Sequence, residues 1–489
     1  MRDEKRIEFG DWQTPHELTE AIVTLLASQV QETASVLEPT CGRGAFLVAA
    51  AAAFPAAKLV GFDVSAEYVE AARESLNGRA EVEVADFFRV NWERVVAGLP
   101  DPILILGNPP WVTSSALGVL DAANHPIKTN FKNLSGLDAM TGKSNFDISE
   151  WMLLRLLHAA SDRDVTIAML CKSSVARKVM ERVAAENWCL QGSVHAIDAK
   201  THFAAAVDAV LLTLRRANVV PTSRDLLWAV HAGINALVPS KHMGVVDGRL
   251  CSDVAAFLKT RALEGTSEIE WRSGIKHDCA RIMELEITEG GLVNGLGENV
   301  TLERDYVFPL LKGSDLANGR VTPRRRVIVS QRVLGENTAA IRERAPATWS
   351  YLSSHASQFE ARKSSIYREQ PVFAIFGVGD YTFAPYKVAI CGLYKKLVFT
   401  VVCPVDGKPV MVDDTAYFLP CDTEEQAREL ACALNGDRAR DFFAARVFWD
   451  AKRPISKALL QSLSLDALLQ AEGVRRRRTS AHSQQTLAF

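Results

Sequence analysis

Residues 34 to 106 place four short apolar runs between helical stretches. The runs are the stretch into Val36-Leu37, Lys58 to Phe62, Val82-Glu83-Val84 and Ile103 to Leu106. The helical stretches are an alanine-rich one from Ala45 and another over Ala66 to Leu76. Strands that alternate with helices pair in parallel while the helices cross back over the sheet, so this rhythm predicts a βαβαβ unit. A second series extends it with a helix at Ile148 to Ala159, a strand at Val165 to Leu170, a helix at Val175 to Ala185, and apolar runs at Gly192 to Ile197 and Ala209 to Leu214. One doubly wound α/β domain over residues 1–216 accounts for all of it. Residues 217–265 read as a connecting segment. From residue 266 to 471 the strands become short and are punctuated by Gly290-Gly291, Gly295, Gly297, Gly377, Gly379 and Gly407, so an α+β domain is expected there. Residues 472–489, with Arg475 to Arg478 followed by Ser, His and Gln, read as a flexible basic tail.

Composition narrows the class. With 48% hydrophobic and 23% charged residues, the 489-residue chain is an ordinary globular one, neither disordered nor coiled coil. Its nine cysteines form no CxxC pair and match no His spacing, so neither a zinc site nor a disulfide framework is expected, and a reducing cytoplasm fits best. The longest near-apolar run, Ala45 to Ala57, is shorter than the roughly 20 residues a bilayer requires, so no membrane partner is expected. Charge is divided unevenly: residues 1 to 216 carry a formal −6 and residues 217 to 489 a formal +4, which favours an anionic partner for the second half.

The first strand-to-helix turn reads Leu37-Glu38-Pro39-Thr40-Cys41-Gly42-Arg43-Gly44-Ala45-Phe46. Two glycines let backbone approach a ligand at a helix N-terminus. Asp63, 21 residues after Gly42, ends the next strand where a carboxylate can accept both ribose hydroxyls. The third glycine of a dinucleotide fingerprint is replaced by Leu47, so a ligand with ribose and adenine but no pyrophosphate fits, and S-adenosyl-L-methionine is the common one.

The fourth run leads into Gly107-Asn108-Pro109-Pro110-Trp111. Here the chain resembles the amino-methyltransferases with an (N/D/S)PP(Y/F/W) signature, and in particular the gamma-class adenine-N6 DNA methyltransferases. The order of that family is a TP segment, cofactor motifs, NPP(Y/F/W), further sheet motifs and a C-terminal target-recognition domain, and the resemblance covers nearly the full length. It implies a Rossmann-like class I methyltransferase sheet with a C-terminal α+β target-recognition domain. It further implies cofactor contacts from Thr14 in Trp12-Gln13-Thr14-Pro15, from Glu38, Pro39, Cys41, Gly42 and Gly44, from Asp63, and from the pair Asp86-Phe87 around the adenine. Asn108 borders the cofactor as well, and Phe146 falls where the family lines the adenosyl pocket.

The chemistry explains the signature. An exocyclic adenine amine is a poor nucleophile because its lone pair is delocalised into the ring. The Asn108 side-chain oxygen and the Pro109 carbonyl would each accept one N6 hydrogen and so direct the lone pair at the methyl group. Pro109 and Pro110 fix the turn. Trp111 offers a π face to a base removed from the duplex, and Phe203 in Thr201-His202-Phe203 falls where the family has an aromatic on the second side. No metal and no strong general base is needed. The long polar loop Val112 to Lys143 carries Lys128 and Lys132, which are expected to touch DNA. Two other patterns are set aside. Gly136 to Ser144 ends in Gly-Lys-Ser but has its first glycine one residue too far away for a phosphate loop, and His277-Asp278-Cys279 reads as ordinary loop residues.

In the second half, Trp271 to Asp278, Phe376 to Val388 and Ala451 to Ile455 resemble the recognition region of one branch of these enzymes. Arg324, Arg325, Arg326, Lys387, Lys452 and Arg453 interleave with Tyr381 and Tyr386, a mixture suited to phosphate contacts with a few base-edge readers. The expected partner is double-stranded DNA, with a separate cognate restriction endonuclease left open. Other enzymes share the signature and act on adenine in RNA, cytosine N4 in DNA or a glutamine amide in protein. About 200 added residues with basic and aromatic character disfavour the RNA and protein substrates, and Asn rather than Ser in the first position tilts the choice to adenine. A catalytically silent DNA-binding specificity subunit is the reading from a different class, and intact Gly42, Gly44, Asp63 and Asn108 speak against it.

Overall fold

The computed structural model describes residues 13–30, 32–112, 147–216 and 225–473. Phe146, Lys128, Lys132 and the Arg475–Arg478 tail lie outside them. The described chain divides into two compact units, with the division between Ala255 and Ala256.

The first unit holds a ten-stranded sheet. In chain order its elements are α1 (His16–Gln29), β1 (Ser35–Glu38), α2 (Ala45–Ala53), β2 (Lys58–Asp63), α3 (Ala66–Leu76), β3 (Ala80–Val84), α4 (Trp92–Ala97) and β4 (Ile103–Gly107). There follow α5 (Ile148–Ala159), β5 (Val165–Lys172), α6 (Ser173–Ala185), β6 (Leu190–Ile197), α7 (Ala199–Phe203), β7 (Ala209–Arg216), β8 (Leu226–His231), β9 (Lys241–Val246) and β10 (Arg249–Cys251). The strand order is β10-β9-β8-β6-β7-β5-β4-β1-β2-β3. Strands β3, β2, β1, β4 and β5 pair in parallel, and β7 inserts antiparallel between β5 and β6. This is the Rossmann-like sheet expected from the sequence, and the strand order reverses between β1 and β4. Ligands of open α/β sheets bind at that switch point, beyond the carboxyl ends of the strands.

The sequence explains the parallel core. β1 and β4 are buried along their whole length; β4 is an unbroken apolar run, and β1 carries Val36-Leu37 between buried Ser35 and Glu38, as strands covered on both faces tend to. One hydrophobic cluster, with Leu37, Ile105, Leu153 and Val179, fills one side of the sheet, and a second, with Ile22, Phe46, Leu104 and Leu211, fills the other. Helix α3 begins where the Ser65 hydroxyl accepts the Tyr68 N–H and ends at Asn77 in the left-handed region.

Part of the segment expected as a connector is sheet. β8 pairs in parallel with β6, and β9 and β10 follow antiparallel, so 226–251 extend the first unit. Trp228, fully buried, covers Gly192 of β6 so closely that a Cβ there would stand 2.6 Å from the indole. The short apolar run Leu226-Leu227-Trp228-Ala229-Val230, rich in large side chains, is thus a strand signal that a connector would not carry.

The second unit is α+β. One sheet orders β11 (Arg272–Ser273), β20 (Ala416–Cys421), β17 (Tyr386–Cys391) and β18 (Thr400–Val402), and packs against helices Glu424–Asn435 and Asp437–Ala444. The other orders β14 (Asn299–Val300), β13 (Gly291–Asn294), β12 (Glu284–Thr288), β16 (Arg325–Ile328), β15 (Val307–Leu311) and β19 (Met411–Val412). His277 is a structural residue here. Burial pushes its imidazole down to about 4, and its Nδ1 accepts the Cys279 N–H at 3.2 Å. Among the described residues no group of three or more His, Cys, Asp or Glu could hold a metal, and no helix is long and apolar enough to cross a membrane.

Candidate active site

The carboxyl ends of β1, β2 and β4 bring the expected residues together. Gly42 and Gly44 stand in the left-handed region, and a Cβ on Gly44 would meet Ala72 of α3 at 3.0 Å, so both the turn and the helix packing require glycine. The Gly42 N–H donates to Asp63 Oδ2 at 2.8 Å, and the Ser65 N–H donates to Asp63 Oδ1 at 2.9 Å. These two backbone bonds aim the carboxylate at the carboxyl ends of the strands.

Glu38 ends β1 with 2% exposure, and its Oε2 has no hydrogen-bond partner among the described residues. Burial first, and then the neighbouring Asp63 charge, push its carboxyl well above the usual range. A buried carboxylate oxygen without a donor fits a cationic ligand group. Gly107 follows beside Glu38 at φ +151°, a backbone conformation that residues with a side chain rarely adopt, so the strand end there requires glycine. Pro39 is buried beside it. The Cys41 side chain packs beside Gly61 of β2, and its main-chain N–H donates to Phe62 O at 2.7 Å, so only its backbone frames the loop. Burial, with Glu38 and Asp63, pushes the Cys41 thiol up and keeps it neutral.

Asp86 accepts the Phe88 N–H at 3.0 Å and lies 3.4 Å from Arg89. The Phe87 ring turns into the core, 4.6 Å from Trp92, so the half of this pair that can face a ligand is Asp86 together with the Phe87 main chain.

The segment before α1 joins the two halves of the site. Asn108 Nδ2 donates to Thr14 Oγ1 at 3.2 Å across 94 positions, which leaves Oδ1 as the acceptor end of the amide. Gln13 lies over Gly42 and accepts the Arg43 N–H at 3.4 Å. Trp111 is buried, donates from Nε1 to Leu170 O at 3.4 Å, and meets Phe203 edge to face with centroids 5.2 Å apart. Two residues that sequence reasoning missed hold this turn. Lys172, at the end of β5, donates from Nζ to Trp111 O at 2.8 Å and to Asp147 Oδ2 at 2.7 Å. Asp147 also accepts from the Ser149 N–H and hydroxyl, which caps α5. Their only sequence signals were a polar residue ending an apolar strand and an Asp opening a helix.

A model of a methyltransferase domain matches residues 36–96, from β1 into α4. Type II methyltransferase M.NspV from a Nostoc species is 42% identical over 476 residues, covering 95% of this chain and 98% of that protein. The chain belongs to the type II methyltransferases. A solved structure of the type IIL restriction-modification enzyme MmeI in complex with DNA superposes with a TM-score of 0.55 at 13% identity. It covers 94% of this methyltransferase, which spans 65% of that longer chain, and the likeness speaks for the fold.

The second unit redistributes the expected DNA contacts of this methyltransferase. Lys387 is withdrawn: it is 1% exposed, donates to Ala384 O at 2.8 Å, and lies over the Phe418 ring. Burial lowers its amine to about 7. Its stem belongs to the inner face of β17, where packing overrides the charge that suggested a surface role. Arg325 pairs with Glu286 at 3.2 Å and Arg326 with Asp406 at 2.7 Å, whereas Arg324 is exposed. Tyr381 is half-buried beneath Arg272, and Tyr386 packs against the core under the two helices. Lys452 and Arg453 are exposed, with Arg453 donating to the Tyr417 hydroxyl at 3.3 Å.

Proposed function

We propose that this type II methyltransferase transfers a methyl group from S-adenosyl-L-methionine to adenine N6 in duplex DNA, after flipping the base out of the stack. The observation that carries the reading is the meeting of Thr14, Asn108, Trp111 and Phe203 at the switch point, next to the buried carboxylate of Glu38.

The bound cofactor supplies an electrophilic methyl on a sulfonium, so the chain has only to hold, orient and dehydrate the amine. Asp63 would take the ribose hydroxyls, Asp86 and the Phe87 main chain would meet the adenine of the cofactor, and Glu38 would face the positive charge. Thr14 fixes which end of the Asn108 amide is presented. Oδ1 and the Pro109 carbonyl then accept the two N6 hydrogens of the target, and the lone pair is freed for attack. When bound, the cofactor would supply the methyl and keep the S–C bonding electrons on its sulfur, and the methylated amine would give up one proton to water. Acceptors preorganised in this way act chiefly in the transition state. Trp111 and Phe203 would flank the target adenine, and their edge-to-face contact must open to admit it. Stacking worth about 1–3 kcal/mol per base offsets much of the cost of flipping. The second unit reads the DNA sequence, with Arg324, Lys452 and Arg453 at its surface. The kinship to M.NspV supports a place in a restriction-modification system.

The test is expression in a host lacking adenine methylation, followed by single-base detection of N6-methyladenine in its genomic DNA. Methylation confined to one short motif is expected. Unmodified DNA from cells holding folded, cofactor-binding protein would refute the substrate.

A further inference from the structure

The loop between β8 and β9, residues 232–240, is longer than the two to five residues that commonly join antiparallel neighbours. At its tip Leu237 is 86% exposed and Val238 79% exposed, the two most exposed large apolar side chains among the described residues. The loop beneath them is built to stay in place. His195 of β6 and His231 of β8 stack with centroids 4.2 Å apart and planes 5° from parallel. Their Nδ1 atoms take the carbonyls of Gly233 at 3.3 Å and Ala236 at 2.8 Å. Beyond the tip, the Ser240 N–H and hydroxyl both donate to Val230 O, at 2.8 and 2.9 Å. Ile234 packs against the core cluster that contains Trp111 and Phe203. The fold therefore holds two apolar side chains in water on a backbone fixed from both sides.

Strand direction places the tip. β8 runs parallel to β6, and both run with β5, β4 and β1, so the loop leaves the sheet at the edge that carries Asn108. β8 lies one strand spacing, about 5 Å, from the strand that delivers Phe203. Lys200 of α7 and Lys241 at the start of β9 leave the same edge, and both are exposed. Two side chains are far too small for a stable protein interface, which buries roughly 1,000 Å² or more. They suit a single opened base step, the place where DNA-bending proteins insert Leu, Ile or Phe while nearby cations hold the phosphates.

We infer that Leu237 and Val238 form an apolar wedge that enters the base stack of duplex DNA beside the flipped nucleotide and keeps the duplex open. The inference rests on the base-flipping reading above. Its test compares the wild type with the double variant Leu237→Ser, Val238→Ser in single-turnover methyl transfer at saturating S-adenosyl-L-methionine. Two DNA duplexes carry the motif found by genomic sequencing, one fully paired and one with the target adenine opposite an abasic site, where unpairing is already complete. The double variant is expected to lose about tenfold to a hundredfold on the paired duplex, the share of a flipping cost of a few kcal/mol that a wedge would offset. On the abasic duplex the loss should shrink to less than about threefold. A 2-aminopurine at the target position should brighten with the wild type and much less with the variant. Equal losses on both duplexes, or none on the paired one, overturn the wedge and leave the enzyme reading standing. A wild-type dimer that the double variant dissolves, with transfer unchanged, gives the tip to a second copy of the chain. A wild type that methylates both duplexes but leaves the 2-aminopurine dark sinks the base-flipping reading and the wedge with it.

Discussion

Replacing Lys172 by Met removes the cation that joins the Trp111 carbonyl to Asp147 while keeping most of the side-chain volume. Asp147 is 8% exposed and its Oδ2 lies 2.7 Å from the ammonium, so the variant leaves a largely buried carboxylate oxygen without its partner. Breaking one side of a buried pair costs about 3–5 kcal/mol. Lys172 is 22% exposed, and Asp147 keeps two bonds from Ser149, so water and those donors reduce the loss to about 2–3 kcal/mol. For a unit of this size that lowers Tm by about 4–12 °C in a thermal scan of the first unit's unfolding. Lost stability alone would leave the folded fraction fully active at 20 °C. The Trp111 carbonyl is freed as well, however, and the turn that aims Asn108 and Pro109 loosens, so kcat should fall by about tenfold or more while the Kd for S-adenosyl-L-methionine holds. Lys172→Arg, which keeps a cation within reach of both acceptors, should restore most of the rate. A Lys172→Met protein that melts and turns over like the wild type would refute the role given to this clamp. So would an arginine variant as slow as the methionine one.

Three further outcomes are expected. Asn108→Ala should lower the single-turnover rate by at least about a hundredfold and leave DNA affinity within a few-fold, because the lost acceptor acts chiefly in the transition state. The folded carboxyl of Glu38 titrates above its unfolded value, so it favours folding at low pH and that contribution is lost as pH rises through the raised pKa. A cation bound beside it lowers that pKa again, so cofactor binding should release a proton and tighten with rising pH in calorimetry, and Glu38→Gln should abolish that dependence. Arg324→Ala should reduce the salt slope of DNA binding by about one, whereas Arg325→Ala, already paired with Glu286, should change it little.

The catalytic half was legible because its motifs are local. Gly42 and Gly44 are demanded by a turn, Asp63 follows at the offset of nucleotide folds, and Asn108 to Trp111 stand directly after a strand. What sequence could not show were bonds between distant positions: Asn108 to Thr14, Gln13 over Gly42, Lys172 to Trp111 and Asp147. Lys387 failed for the complementary reason. Its charge argued for a surface, but one face of β17 is packed against β20, and an ammonium satisfied by a carbonyl can be carried inside with its stem. In the same way, Phe87 is named in the motif for its neighbourhood while its ring serves the core.

The added strands alter where this enzyme is open to self-association. Without β8, the outermost strand on that flank of the sheet would be the eight-residue β6, its outer edge unpaired and the seat of Trp228 left bare. With β8 to β10 in place, the outermost strand is three residues long, too short to template another chain. Cutting the gene after Arg216, where the methyltransferase motifs end, would therefore leave a sticky fragment that precipitates. A soluble, cofactor-binding minimal enzyme should require the chain to continue to Ala255, and ribosomal synthesis must pass Cys251 before the nascent sheet loses its adhesive edge.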